Sequence, residues 1–206
     1  MRVQVPPLAP IREKKMIQEK WFYTPIWFDR FQGDFSVAAN KCLELRDSGF
    51  PNRRLSNVGG WQSDNIDLLQ FPEFNSAYEI ILSCMEEVRV SIHHKFKLMI
   101  DNIWLNINEK GHYNNSHVHP NSTLAGVLYL QCDEDSGRIG FMNDNSVKKH
   151  YPFNFYHETT IFSDYAYYTP ETGMSIVFPS WTDHFVEQSL SDIPRISIAY
   201  NLKEVT

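Results

Sequence analysis

Past residue 98 the apolar residues of this chain change from a helical spacing to a spacing of two, and that change restricts the fold more than any other feature. Short runs follow one another: LMIDNIWLNI (98–107), HYNNSHVH (112–119), TLAGVLYLQC (123–132), RIGFM (138–142), MSIVF (174–178), HFVEQ (184–188) and RISIAYNL (195–202). Turn-forming groups such as Asp135-Ser136-Gly137, Asn143-Asp144-Asn145 and Pro170-Glu171-Thr172-Gly173 divide them. Upstream the period is 3.6. A helix is predicted over Phe35–Ser48, with Ala38, Ala39 and Cys42 on one face and Gly49 at its C-cap. A second helix is predicted over Glu73–Lys97, with Phe74, Ala77, Tyr78, Ile81, Met85, Val88 and Ile92 as its stripe. Trp21–Phe28 reads as a strand that Pro25 pushes to a sheet edge or bends. Residues 50–72 are mixed, and within them the polar, glycine-bearing SNVGGWQSDN (56–65) reads as a long loop. Helices first and seven or more short strands after them predict a mainly β fold, a jelly roll buttressed by two N-terminal helices. Prolines 6, 7 and 10 make residues 1–20 an arm, which leaves 21–206 as one domain.

Composition removes several function classes. The 206 residues carry a formal net charge of −6 and no basic stretch, which argues against nucleic acid and anionic membranes as partners. No window approaches the length of apolar sequence that spans a bilayer, and the N-terminus lacks the pattern of a secretory signal peptide. Cys42, Cys84 and Cys132 are odd in number and far apart, which suits reduced thiols in a cytoplasm better than disulfides.

The histidines are the candidate chemistry. His117 and His119 stand two apart, so a strand would project both from one face. His184 opens a later strand, and a jelly roll can bring such a residue across from the opposite sheet. Three ligands on one side of a metal leave the other side open to substrate and O2. The same imidazoles would also suit a sheet rim, bonded to backbone carbonyls, and the pattern alone leaves both readings open. His112 and His157 are reserve ligands, His150 suits a solvated loop, and His93 and His94 suit an interaction with the dipole of the second helix.

Eleven residues beyond His184 come Arg195 and Ser197, again two apart. A buried guanidinium offers a two-pronged fork to a carboxylate, and a neighbouring hydroxyl adds a further hydrogen bond. That equipment would hold the distal carboxylate of a dicarboxylic co-substrate whose other end chelates a metal. The rival reading is a structural ion pair with Glu187. Asn106 and Asn108 alternate on the strand before the histidines, where they suit either the co-substrate or a sheet rim. Tyr129 lies within an apolar strand and needs a partner for its hydroxyl. Trp61 with Gln62, and Trp181 beside His184, are candidates for walls of a substrate mouth.

Taken together, His117-Val118-His119-Pro120, Ala125–Leu130, Ser136–Phe141, Phe178-Pro179-Ser180-Trp181 with His184, and Arg195-Ile196-Ser197 with Asn201 resemble the 2-oxoglutarate/Fe(II)-dependent oxygenases of marine bacteria and phages. That group is distantly similar to prolyl hydroxylases. The upstream pieces Thr24–Phe28, Ser56–Ser63 and Trp104–Ile107 extend the resemblance over residues 21–202. It implies a double-stranded β-helix, with Fe(II), 2-oxoglutarate and O2 as cofactor and co-substrates. Carried over by residue, it implies His117 and His184 as metal ligands and Arg195 with Ser197 as the 2-oxoglutarate clamp. The wider superfamily has a carboxylate where His119 stands. A three-histidine set is therefore expected here, with a carboxylate from elsewhere or a water as alternatives; Asp183 faces away in a regular strand and Asp144 lies in a turn.

The reading is thus an oxygenase that hydroxylates a small molecule or a peptide side chain, with no catalytic residue beyond the metal ligands. Two rivals are a cupin-like three-histidine enzyme that needs no 2-oxoglutarate and a non-enzymatic jelly-roll module of a phage. A dicarboxylate clamp separates the first from both.

Overall fold

Helix α1 forms over Ser36–Asp47, where Ala38, Ala39, Cys42 and Leu45 recur at helical spacing and are buried. It stops at Gly49, which takes φ +80°. The N–H groups of Gly49 and Phe50 then close on the carbonyls of Arg46 and Leu45. The computed structural model describes residues 23–92, 95, 97–143 and 163–205; the arm expected over 1–20, and His93, His94, His150 and His157, lie outside them.

Helix α2 runs Asn75–Ser91 behind a 3-10 turn at Pro72–Phe74, and buries Ala77, Ile81, Cys84 and Val88. The helical spacing predicts an end at Lys97, and the structure corrects this: strand β4 begins there and runs Lys97–Asn108. Leu98, buried between exposed Lys97 and Met99, already follows the period of two.

The remaining strands are β1 (Trp27–Arg30), β2 (Asn57–Val58), β3 (Trp61–Gln62), β5 (Tyr113–His117), β6 (Leu124–Gln131), β7 (Ile139–Met142), β8 (Tyr165–Tyr168), β9 (Met174–Pro179), β10 (His184–Val186) and β11 (Arg195–Val205). They form a six-stranded sheet in the order β1-β9-β6-β11-β4-β3 and a five-stranded sheet in the order β2-β5-β10-β7-β8. Neighbouring strands run antiparallel in both. The strand expected over Trp21–Phe28 is corrected to β1 at Trp27–Arg30, beyond Pro25; residues 23–26 are not strand, 21 and 22 lie outside the described residues, and β1 is a sheet edge. The expected loop 56–65 instead supplies an edge strand to each sheet, β2 to one and β3 to the other. Strand β8 has no counterpart in the period-two runs; its four residues are three tyrosines and an alanine, largely exposed, with no alternation to read.

Alternation sorts the larger sheet into two faces. Ile196, Ile198, Tyr200 and Leu202 of β11 join Ile103, Leu105 and Ile107 of β4 and Leu124, Leu128 and Leu130 of β6 in a core under the two helices. The opposite face looks into the sandwich. There Ala125, Val127 and Tyr129 of β6 pack with Ile139, Phe141, Met174, Ile176 and Phe178. Alternate residues of β4 and β11, among them Asn106, Asn108, Arg195, Ser197 and Asn201, line a cavity of about 660 Å³. Polar residues on a strand whose neighbours are buried aliphatics therefore mark the cavity face. Among the described residues no helix is long and apolar enough to cross a membrane.

Candidate metal centre

His117 ends β5 and pairs directly with His184 at the start of β10. His119 lies just past β5, where its N–H donates to the Ser180 carbonyl at 2.8 Å. Ring centroids are 4.2 Å apart for His117–His184, 5.0 Å for His119–His184 and 5.3 Å for His117–His119. One nitrogen from each ring falls within 4.8 Å of the others. The expected convergence of the three is therefore present in the structure, and among the described residues it involves no carboxylate. Asp183 accepts from the Ser116 hydroxyl instead. The reserve ligand His112 stands apart, with its Nδ1 accepting from the Glu109 N–H at 3.0 Å.

Each ring is held by its Nδ1. That of His117 is 2.7 Å from the Asn115 carbonyl, that of His184 is 2.9 Å from the Thr182 carbonyl, and that of His119 is 2.5 Å from Asn201 Oδ1. Oxygen acceptors on Nδ1 select the Nδ1–H tautomer and leave the Nε2 lone pair free, the state a metal ligand requires. The Nε2 atoms of His119 and His184 lie 3.2 Å apart. Bonds of about 2.0–2.1 Å from imidazole to a metal place neighbouring ligands about 3 Å apart, so this spacing fits. Trp104 stacks on His119 and Phe178 sets its edge against His119 and His184, which fixes the rings.

The imidazoles are kept neutral. Burial lowers the pKa of His117, takes His119 down to about 4 and His184 down to about 3, and proximity of the rings to one another adds to the shift for the latter two. The Nε2 lone pairs of His119 and His184 face each other without a donor between them, and that of His117 meets the Ser56 hydroxyl at a long 3.3 Å; a cation would satisfy all three.

Arg195 stands elsewhere on the cavity wall and is 3% exposed. It donates through NH1 to the carbonyls of Ser136 and Gly137, the latter at 3.2 Å. Gly137 has φ +81°, and a Cβ there would collide with the Glu187 carbonyl, so this turn closes on Arg195 only with glycine. The carboxylate of Glu187, the structural rival, is bound by Arg138. No carboxylate among the described residues pairs with Arg195.

Cross-strand register explains what surrounds the guanidinium. Gln62 is opposite Asn106, Asn106 opposite Ser197, and Ser197 opposite Tyr129, which gives one polar row across β3, β4, β11 and β6. Arg195 is opposite Asn108, whose buried Nδ2 has no hydrogen-bond partner. A Cβ on Gly60 would stand 2.5 Å from that nitrogen. An orphaned amide donor beside a cation without an acid is the donor set for a carboxylate. Burial raises the pKa of the Tyr129 phenol while the Arg195 charge pulls it back, which places the two within electrostatic reach. The residues present therefore fit both Fe(II) and a dicarboxylate. Of the expected mouth walls, Gln62 lines the cavity, whereas Trp61 packs against the core on the helix side and Trp181 is 63% exposed and absent from the lining.

Residues 102–201 match the family model described as "Putative 2OG-Fe(II) oxygenase", a stretch that holds all three histidines and Arg195. Over this stretch, just under half of the chain, the sequence is that of a 2OG-Fe(II) oxygenase. No curated protein matches this oxygenase by sequence. Its structure is similar to that of a Pseudomonas putida prolyl-4-hydroxylase, with a TM-score of 0.62 at 13% identity over 86% of this chain and 92% of that one. A Trichoplax adhaerens prolyl hydroxylase in complex with a hypoxia inducible factor peptide gives 0.60 at 13% identity over 87% and 83%. HygX from Streptomyces hygroscopicus, with nickel and 2-oxoglutarate bound, gives 0.54 at 11% identity over 87% and 83%. The shared architecture is the expected double-stranded β-helix. As a 2OG-Fe(II) oxygenase the protein is an oxidoreductase that uses Fe(II), 2-oxoglutarate and O2, and the histidine cluster fits the iron site.

Three contacts at the site go beyond the residues that sequence reasoning gives a role: the carbonyls of Ser136 and Gly137, and the Asn201 amide. Asn201 carries a signal, as a polar residue in phase with Arg195 and Ser197 on an apolar strand. The carbonyls carry none, because any residue type supplies one.

Proposed function

We propose that this oxygenase holds Fe(II) through Nε2 of His117, His119 and His184, and holds the distal carboxylate of 2-oxoglutarate through Arg195 and Ser197. One observation carries the reading: a neutral imidazole triad and an arginine without an acid open onto the same cavity. The metal and 2-oxoglutarate, when bound, supply the oxidising chemistry, in which O2 converts 2-oxoglutarate to succinate and CO2 and one oxygen atom enters the substrate. The chain itself orients and insulates. Arg195, fixed by two backbone carbonyls, presents its remaining N–H groups to the carboxylate, and Ser197, Asn106 and Tyr129 add hydrogen bonds from the adjoining row. Phe141, Phe178 and Trp104 shield the imidazoles from bulk water.

The substrate is a small molecule or a peptide side chain. The described cavity lining contains arginines and amides and no carboxylate, so the group brought to the metal is uncharged or anionic. Three unpaired cysteines suit a cytoplasmic setting. The cupin-like alternative makes Arg195 structural and is not favoured, because a buried cation without a carboxylate is costly unless a ligand supplies one. Anaerobic titration with Fe(II) and then 2-oxoglutarate tests the proposal: a weak visible charge-transfer band should grow with 2-oxoglutarate and be absent from Arg195→Ala. Identical spectra for the two proteins would refute it.

A further inference from the structure

We propose that Asn201, backed by Asn102, is the positioning residue for His119 and strengthens it as a ligand at the position where the wider superfamily has a carboxylate. This rests on the assignment of the three histidines to the metal.

His117 and His184 each lean on the carbonyl of the residue two positions earlier, a local contact that any sequence can make. His119 instead leans on a side chain from another strand, Asn201 Oδ1, at 2.5 Å and 82 residues away. The sense of that amide is fixed by what lies behind it. Asn201 Nδ2 donates to Asn102 Oδ1 at 2.8 Å, and Asn102 Nδ2 in turn faces the Asp101 carboxylate at a long 3.4 Å. Reversing either amide would set oxygen against oxygen, so the chain of dipoles runs one way, with acceptor ends toward the imidazole. Hydrogen bonds in series polarise one another, and a polarised acceptor on Nδ1–H makes Nε2 a better electron donor.

The backbone is shaped to build this chain. Asn201 is opposite Asn102, but the next pair is Leu202 with Ile100, so Asp101 is an extra residue on β4. Such a bulge re-aims neighbouring side chains and is common beside active sites. Asn201 is 9% exposed and Trp104 stacks on the ring it holds, so water competes poorly for the contact.

The test uses Co(II) as an air-stable probe, with affinity and the visible ligand-field spectrum read on Asn201→Leu, Asn201→Asp, Asn102→Leu and His119→Ala. Loss of an outer partner of a metal-bound histidine weakens binding by about 10–100-fold. Asn201→Leu should show such a loss and a shifted spectrum, Asn102→Leu a smaller loss, and Asn201→Asp should restore or exceed parent affinity. Melting of the chelator-treated proteins checks folding, and if Asn201→Leu does not fold, Asn102→Leu and Asn201→Asp decide. Equal affinities and spectra for the Asn201 and Asn102 variants and the parent, alongside weak binding by His119→Ala, overturn the relay and leave the three-histidine site standing. Parent affinity in His119→Ala overturns the three-histidine assignment itself.

Discussion

Arg138 grips Glu187 with two hydrogen bonds, Nε to Oε2 at 2.7 Å and NH2 to Oε1 at 2.8 Å, and by doing so removes the one acidic residue that sequence reasoning sets against Arg195. The pair is partly exposed and adds little to stability. Its effect is to keep Glu187 occupied at the turn where Arg195 anchors.

Arg195→Ala should lower 2-oxoglutarate affinity by about 100-fold or more, as expected for loss of a buried charge-assisted contact of several kcal/mol. Metal affinity should stay within about twofold, because the ligands lie on and beside other strands. Glu187→Gln should leave 2-oxoglutarate affinity at the parent value. Isothermal titration with each variant checks all three outcomes.

Asn108→Leu should separate stability from binding. Its Nδ2 is buried without a partner, and leaving such a donor unsatisfied costs about 1–3 kcal/mol. The leucine variant should therefore melt higher than the parent without ligand yet bind 2-oxoglutarate more weakly. A lower melting temperature with unchanged binding would mean that the amide serves packing alone.

Asn106→Ala and Tyr129→Phe should each weaken 2-oxoglutarate several-fold while the fold persists, since both flank Ser197 in one cross-strand row. Unchanged affinity in both, measured by the same titration with circular dichroism as the folding control, would confine the clamp to Arg195 and Ser197.

In chelator-treated protein, acid should destabilise the fold before the carboxylates titrate. His119 and His184 are held to about 4 and about 3 when folded, against 6.5 as the ordinary value. The unfolded chain thus binds more protons throughout that interval, and stability falls as pH drops from about 6.5 toward 4, with the full contribution present above 6.5. Melting temperatures at pH 7.5 and 5.0 should differ less for His184→Phe than for the parent. Saturating Co(II) should instead preserve or steepen the parent's dependence, because the bound metal keeps the folded imidazoles unprotonated while the unfolded ones still take up protons.

Much of the fold and of the site is legible in the amino-acid sequence. The period-two segments correspond to strands β4, β5, β6, β7, β9, β10 and β11, because alternation is the direct imprint of a sheet with unlike faces. The same arithmetic puts Arg195 and Ser197 on the cavity side of β11. What escapes reading depends on register and on backbone atoms. Gln62 joins the polar row because a two-residue strand pairs with Asn106, and two residues carry no period. The carbonyls of Ser136 and Gly137 serve Arg195 whatever their side chains, so the turn reads as punctuation. Asn201 meets His119 only through folding, and Lys97 ends the helical reading only because Leu98 packs as part of a strand.

The double use of residues 57–62 has a mechanical consequence. One hairpin-sized stretch fastens the open side of the sandwich, with β2 clasping one sheet and β3 the other. The gap between the sheets at that side is therefore set by the length and stiffness of a strap rather than by packing alone. An insertion or deletion around Gly59 would change the width of the aperture and carry Gln62 with it, while the imidazoles and Arg195 stay on their own strands.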